Sequence, residues 1–124
     1  MATEKKYRLI KFESGTCAFC KAMDKSKVLE KFADSAGDVQ VLKVSIADEK
    51  GVPYKDGEKW ANGYGIAALP TLVFEDASGR ELARAEGALP LKAIRALYEQ
   101  AQARAALGSL PVPPPAGAVT GGKA

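Results

Sequence analysis

The chain has 124 residues, 47% of them hydrophobic, and its 18 Lys and Arg against 15 Asp and Glu give a formal charge of +3. This length and apolar content are enough for one compact domain with a hydrophobic core. The charges are spread along the chain without a basic block, so no nucleic-acid partner is expected. The chain has no histidine, which excludes histidine-dependent catalytic triads and histidine-rich metal sites.

No segment reaches the run of about 18 apolar residues that a membrane span needs, so no membrane association is expected. The N-terminal Met-Ala-Thr-Glu-Lys-Lys is not followed by the apolar stretch of a signal peptide. The sequence as it stands therefore predicts a cytoplasmic protein. A periplasmic location is the alternative, if an export signal has been removed from its start.

The N-terminal half predicts a strand, a helix and a second strand. Tyr7 to Glu13 alternates apolar and polar residues and ends at a Ser-Gly-Thr break, which indicates a strand. From Cys17 to Ala36 apolar residues recur at helical spacing, and Gly37 follows as a plausible stop. Val39 to Ile46 alternates again, so a second strand is expected there.

The next segment predicts a loop, a short helix and a hairpin. A loop rich in Gly and Pro leads to a short helix over Lys59 to Tyr64, whose aromatic residues are expected to face inward. We interpret both Trp60 and Tyr54 as core-packing residues rather than recognition residues. Two strand-like runs, Thr71 to Glu75 and Glu81 to Glu86, are joined by a short polar turn and predict an antiparallel hairpin.

A last helix is expected to begin at Pro90 and to end at Gly108, because apolar residues form a stripe between them. The element order is β-α-β-α-β-β-α, which predicts an α/β fold with one mixed four-stranded sheet covered by helices. Residues 109–124 are rich in Pro and Gly and show no periodicity. We therefore predict one domain over residues 1–108, followed by a flexible tail.

The two cysteines, Cys17 and Cys20, lie where the first strand gives way to the helix, and this spacing indicates a local redox-active disulfide rather than a structural framework. A helix N-terminus and the nearby Lys21 both favour a thiolate. Cys17, nearer the helix start, is predicted to be the nucleophile and Cys20 the resolving thiol.

The cysteine pair has two alternative interpretations. Two unpaired structural cysteines are one alternative. A metal site is another, although zinc and iron-sulfur centres usually need four ligands, so neither metal nor cofactor is expected.

A second motif lies in the C-terminal half, where the segment Tyr64 to Phe74 (YGIAALPTLVF) resembles the thioredoxin family's segment around its cis-proline. Gly87 to Leu89 resembles the later glycine turn of that family. With the cysteine pair upstream, the resemblance spans Tyr7 to Gln102. It implies a thioredoxin fold, a cis bond between Leu69 and Pro70 beside the first cysteine, and a thiol-disulfide oxidoreductase.

In this family the backbone before the proline pairs with an extended segment of the substrate. The resemblance thus implies a shallow substrate groove lined by Phe19, Ala68, Leu69, Pro70, Gly87 and Ala88. The expected partners of a monomer are disulfide-containing proteins and a reductase or dithiol protein that returns electrons. Two alternatives stay open. One is glutathione-dependent exchange, because the chain begins almost at its first strand, as glutaredoxins do, and the other is a non-catalytic binding or metal-sharing module.

The sequence departs from the family in how it would handle protons. Thioredoxins usually place a buried acid six residues before the first cysteine, where this chain has Lys11, with Glu13 two residues later. Strand alternation puts both side chains on one face. We predict that Glu13 accepts or relays the proton of Cys20, while Lys11, or Lys43 on the neighbouring strand, compensates its charge. The alternative is that Lys11 and Glu13 extend to solvent near the strand ends.

Overall fold

The computed structural model describes residues 5–107, which form one four-stranded sheet with helices on both faces. The strands are β1 (Tyr7–Glu13), β2 (Val39–Ser45), β3 (Thr71–Asp76) and β4 (Glu81–Glu86). The helices are α1 (Ala18–Ser26), α2 (Val28–Ser35), α3 (Lys55–Gly63) and α4 (Leu91–Ala106). The predicted α/β class and mixed sheet are confirmed.

The sheet has the order β2-β1-β3-β4, with β1 parallel to β2 and antiparallel to β3. Strands β3 and β4 form the predicted antiparallel hairpin. The two central strands are apolar on both faces because helices cover both sides of the sheet. Their fully buried apolar residues are Leu9, Ile10, Phe12, Leu72, Val73 and Phe74.

Alternation along the central strands divides the core into two layers. On one face Leu9 and Phe74 pack with residues of α1, α2 and α4, including Phe32. On the other face Phe12 packs with Ala61 of α3. Because successive strand residues point to opposite faces, Lys11 and Glu13 share the face of Leu9, beneath α1 and α2.

The single helix predicted from Cys17 to Ala36 is wrong in one respect, because the chain breaks it at Lys27. This residue adopts a left-handed backbone with φ of 57°, and its N–H donates to the carbonyl of Asp24 at 3.2 Å. The turn ends α1 and starts α2 in a new direction. Both helices then bury apolar residues in the same layer, Met23 from α1 and Leu29 from α2. No Gly or Pro marks the break in the sequence.

Helix α3 begins at Lys55, four residues before the predicted start, and its buried side is formed by the small residues Gly57 and Ala61. A Cβ atom on Gly57 would lie 1.9 Å from the carbonyl oxygen of Ser45, so the helix backbone approaches β2 closely. Trp60 and Tyr54 remain 45% and 50% exposed, so their interpretation as core residues is wrong. A helix this close to the sheet has no room for a large side chain on its inner face.

The predicted C-terminal boundary at Gly108 and the tail over residues 109–124 lie outside the described residues. Over residues 5–107, no helix has the length and apolar character needed to cross a membrane.

Candidate active site at the Cys17 and Cys20 pair

The two cysteines lie at the start of α1 and are joined by a disulfide bond, with Cα atoms 5.2 Å apart. Cys17 has an extended backbone and caps the helix, while Cys20 is on its first turn. The backbone N–H of Cys20 donates to Cys17 Sγ at 3.1 Å. Cys17 is partly exposed, whereas Cys20 is only 1% exposed. The helix thus presents one sulfur toward solvent and holds the other beneath it.

The turn before the helix is held from two sides. Cys17 N–H donates to the carbonyl of Ser14 at 3.1 Å, and Ser14 Oγ accepts from the N–H of Thr16 at 3.2 Å. A Cβ atom on Gly15 would lie 2.3 Å from the carbonyl carbon of Asp48. This contact places the loop after β2 directly against the redox turn. The sequence predicts a loop rich in Gly and Pro here, but no pattern in it indicates that the loop supports the cysteines.

The proline motif forms the turn into β3. The Leu69–Pro70 peptide bond is cis, and the carbonyl of Pro70 accepts a hydrogen bond from the N–H of Gly87 at 2.7 Å. Gly87 has φ of 104°, a conformation that glycine adopts readily and other residues rarely do. The structure therefore brings the two segments of the C-terminal motif together across the sheet.

The predicted groove residues differ in exposure. Phe19 is 67% exposed beside the cysteines, and Ala68 and Ala88 are also exposed. Leu69 and Gly87 are partly buried and Pro70 is buried. A hollow of about 440 Å³ adjoins the proline loop on its α3 side, lined by Ile46, Glu58, Ala61, Asn62, Ile66, Ala67, Ala68 and Leu69. Only two of the predicted groove residues, those at the proline loop, line this hollow.

A buried cation lies beneath the cysteine helix. Lys11 is fully buried, and its Nζ donates to the carbonyl of Cys20 at 3.0 Å and to Asp24 Oδ1 at 2.8 Å. Nζ also lies 2.6 Å from Glu13 Oε1. This ion pair satisfies Glu13 Oε1, which is buried and has no other polar partner among the described residues. The alternative in which Lys11 extends to solvent is wrong, because α1 covers this face of the strand.

Lys43 joins the same network from the neighbouring strand, where it is the register partner of Lys11. Its Nζ lies 3.1 Å from Asp24 Oδ1 and 3.4 Å from Glu30 Oε2. Burial works against the charge of Asp24, but hydrogen bonds from Lys11 and Lys43 outweigh it and lower the pKa of this carboxyl. Burial likewise opposes the charge of Lys43, and its bonds to Asp24 and Glu30 still raise its pKa.

Sequence reasoning missed Asp24 and Glu30 as members of this network. One signal was available, because Asp24 follows Cys20 by four residues and so lies on the same face of α1. This spacing predicts a contact between Asp24 and Lys11 only if α1 is known to cover the face of β1 that carries Lys11. Only the packed structure supplies that fact.

A model of a thioredoxin-like domain matches residues 1–102 of the chain. The chain belongs to the thioredoxin-like family. No curated protein sequence matches this thioredoxin-like protein. Its family membership therefore rests on the domain match and on its fold.

Solved thioredoxin structures resemble the protein. Thioredoxin from Malassezia sympodialis is 26% identical, with a TM-score of 0.58, and the match covers 81% of this chain and 79% of that one. Thioredoxin from Fasciola hepatica is 23% identical, with a TM-score of 0.58 over 78% of this chain and 83% of that one. Thioredoxin O2 from Arabidopsis thaliana, in the oxidized state, is 22% identical, with a TM-score of 0.60 over 77% and 75%. The latter two establish the fold alone.

A thioredoxin-like fold that places Cys17 and Cys20 side by side at a helix start supports a thiol-disulfide oxidoreductase in general. Within residues 5–107, no group of three or more His, Cys, Asp or Glu side chains is arranged to hold a metal ion. The groups that the structure brings together at this site are the sulfur pair and the charges beneath it.

Proposed function

We propose that this protein reduces or exchanges disulfide bonds of partner proteins, with Cys17 as the nucleophile and Cys20 as the resolving thiol. The observation that carries the proposal is the difference in exposure between the two cysteines. Cys17 is partly exposed at the helix start, whereas Cys20 is 1% exposed. A partner's sulfur can approach the first and not the second, so exposure sets the order of attack.

The local backbone also favours Cys17 as an anion. As the cap of α1, it lies where the unpaired N–H groups and the positive end of the helix dipole concentrate. The N–H of Cys20 points at Cys17 Sγ and is positioned to stabilise negative charge on that sulfur in the reduced protein. A thiolate at this position is the attacking species that disulfide exchange requires.

The reaction has two exchange steps. The Cys17 thiolate attacks one sulfur of a partner disulfide, forming a mixed disulfide and releasing the other partner sulfur, which takes up a proton. Cys20 then loses its proton and attacks Cys17 Sγ, which closes the Cys17–Cys20 disulfide and releases the second partner thiol. The partner gains two electrons and this protein loses two. A reductase or another dithiol protein would return them.

The partner segment would bind in extended form along the backbone that precedes Pro70, as a short added strand. Phe19, Ala68 and Ala88 are all exposed, which supports a shallow apolar surface for the partner segment. Leu69 would offer the backbone that pairs with the partner. Gly87 has no side chain to obstruct an approaching chain.

In the second step we propose that Glu13 accepts or relays the proton of Cys20, while Lys11 or Lys43 compensates its charge. The support is that Glu13 Oε1 is buried beside Lys11 with no other polar partner among the described residues, and a carboxylate oxygen has a second lone pair that can accept a proton. Lys11 Nζ lies 2.6 Å from that oxygen and 3.0 Å from the carbonyl of Cys20, which links the acid to the resolving residue.

The proposal is tested with insulin as a protein disulfide substrate and two single variants. Cys17→Ser should abolish reduction and trap no partner, because the attacking thiolate is absent. Cys20→Ser should still attack and should accumulate a mixed disulfide, visible by mass on a non-reducing gel. The double serine variant is the matched control and should do neither. Equal trapping by both single variants would overturn the order, and absence of insulin reduction by the wild-type protein would overturn the function.

A further inference from the structure

The buried ammonium group of Lys11 lies against the backbone of the resolving cysteine. Its Nζ donates to the carbonyl oxygen of Cys20 at 3.0 Å, and its side chain has no exposed surface. We propose that Lys11 is a positioning residue that stabilises the thiolate of Cys20, so that the resolving thiol ionises more readily than an ordinary buried cysteine. The proposal rests on the proposed function, because it assigns Cys20 to the resolving step.

Burial opposes ionisation of the Cys20 thiol. A thiol as buried as Cys20, at 1% exposure, ionises reluctantly, because its anion loses the stabilisation that water provides. An opposite charge held nearby reverses that effect, and it acts more strongly where water is excluded. Lys11 supplies that charge from the strand directly beneath the helix. Its hydrogen bond to the Cys20 carbonyl fixes the ammonium group at the residue that must ionise.

The ammonium group belongs to a network of charges from four elements on this face, in which it contacts Glu13 and Asp24 directly. The other members of the network are Glu13 on β1, Asp24 on α1, Glu30 on α2 and Lys43 on β2. On β3, the register partner of Lys11 is the apolar Leu72. Lys21, which follows Cys20 in the chain, is exposed.

The nearby carboxylates offset the positive charge of Lys11 only in part, because their side chains are more exposed to water than the Lys11 side chain. The side chains of Asp24 and Glu13 are 42% and 19% exposed, whereas that of Lys11 is 0% exposed. Water screens the Asp24 carboxylate, whereas Glu13 Oε1 is buried and offsets part of the ammonium charge. Of these charged side chains, Lys11 alone hydrogen-bonds to Cys20 in the described part of the chain. The ammonium group is therefore the charge held at the resolving residue, where it favours a thiolate.

Stabilisation of the Cys20 thiolate by Lys11 would speed resolution of the mixed disulfide. With Lys11 in place, Cys20 gives up its proton to Glu13 or to water, and the resulting thiolate attacks Cys17 Sγ. The bond between Cys17 and the partner sulfur breaks, the partner leaves as a thiolate, and that thiolate takes up a proton from water. As the Cys17–Cys20 bond forms, the Cys20 sulfur is oxidised and the departing partner sulfur is reduced, so the electrons balance. A more stable Cys20 thiolate raises the fraction of molecules ready to attack.

The test measures Cys20 ionisation directly, in a Cys17→Ser background where Cys20 is the only thiol. Ionisation is followed by the ultraviolet absorbance of the thiolate and by the rate of iodoacetamide alkylation against pH. Lys11→Met should lower the thiolate fraction at a fixed pH below the midpoint by about tenfold or more. Asp24→Asn, which removes a negative neighbour of Lys11, should raise it.

Lys43→Met is the matched control, since it removes the same charge from a residue that contacts Asp24 and not Cys20. Its effect should stay below about threefold, because Lys43 is partly exposed and screened. The opposite directions of the Lys11 and Asp24 variants are the signature of an electrostatic role, which loosened packing alone would not produce.

An unchanged ionisation profile in Lys11→Met, or an equal shift in Lys43→Met, would overturn the proposal. If circular dichroism shows that Lys11→Met is unfolded, Lys11→Gln takes its place: a lower thiolate fraction supports the role of Lys11, and an unchanged or higher fraction refutes it. Insulin reduction by the wild-type protein is measured in parallel. If the wild-type protein does not reduce insulin, the proposed function is overturned. The ionisation profiles still decide whether Lys11 stabilises the Cys20 thiolate.

Discussion

Replacing Gly57 with alanine tests the close approach of helix α3 to strand β2. The added Cβ would lie 1.9 Å from the carbonyl oxygen of Ser45, 2.8 Å from its carbonyl carbon and 3.2 Å from the Cα of Ile46. All three atoms belong to the backbone, so no side chain can rotate away to make room. Ordinary contacts begin at 3.4 Å, and the helix or the strand must therefore shift.

The expected cost follows from two opposing effects. Alanine is a better helix former than glycine by about 0.5–1 kcal/mol, which favours the variant. Overpacking of this kind costs about 1–3 kcal/mol and occasionally more, and here a backbone must move. We expect a net loss of about 2 kcal/mol or more in the free energy of unfolding. For a domain of this size, that loss corresponds to a fall in Tm of about 8 °C or more.

Gly63→Ala provides the matched control in the same helix, since no atom lies within 4 Å of the Cβ it would add. This variant should be neutral or stabilised by up to about 1 kcal/mol. Urea unfolding followed by circular dichroism gives both free energies, and thermal melts give Tm. If Gly57→Ala melts within about 2 °C of the wild-type protein, the close approach of α3 to β2 is wrong.

Three further variants test the buried charges and the surface around the cysteines. Burial and the bond to the Glu75 carboxylate raise the pKa of Tyr64 to about 12, which favours its neutral form. Tyr64→Phe should therefore cost about 1–3 kcal/mol at neutral pH, and urea titrations should show the difference shrinking as pH rises from 10 towards 12; a constant difference contradicts this. Glu13→Gln should slow resolution of a preformed mixed disulfide near neutral pH, with initial attack intact; an unchanged stopped-flow rate and pH profile would remove it from the mechanism. Phe19→Ala should raise KM for insulin with little change in Tm, because the ring is 67% exposed; an unchanged KM would exclude Phe19 from the groove.

Much of the fold could be predicted because it depends on local patterns. Strand β1 matches its predicted bounds, Tyr7–Glu13, since alternation and the Ser-Gly-Thr break are both local signals. The hairpin and the cysteine pair at a helix start were predicted on similar grounds. The break at Lys27 could not be, because a left-handed backbone at a lysine has no strong residue signal. The start of α3 was predicted too late because Gly57 was assigned to the preceding loop, whereas this glycine lies inside the helix and allows its close packing against β2.

The sequence by itself determined the order of the elements, the position of the sulfur pair and the shared strand face of Lys11 and Glu13, because each follows from spacing along one segment. Tertiary structure decided the surroundings of those groups. It buried Lys11 beneath α1, brought Asp24 to it from the same helix as Cys20, and left Trp60 and Tyr54 exposed. The physical reason is that burial and charge pairing depend on which element covers each face of the sheet, and that choice is made by packing between segments distant in the chain.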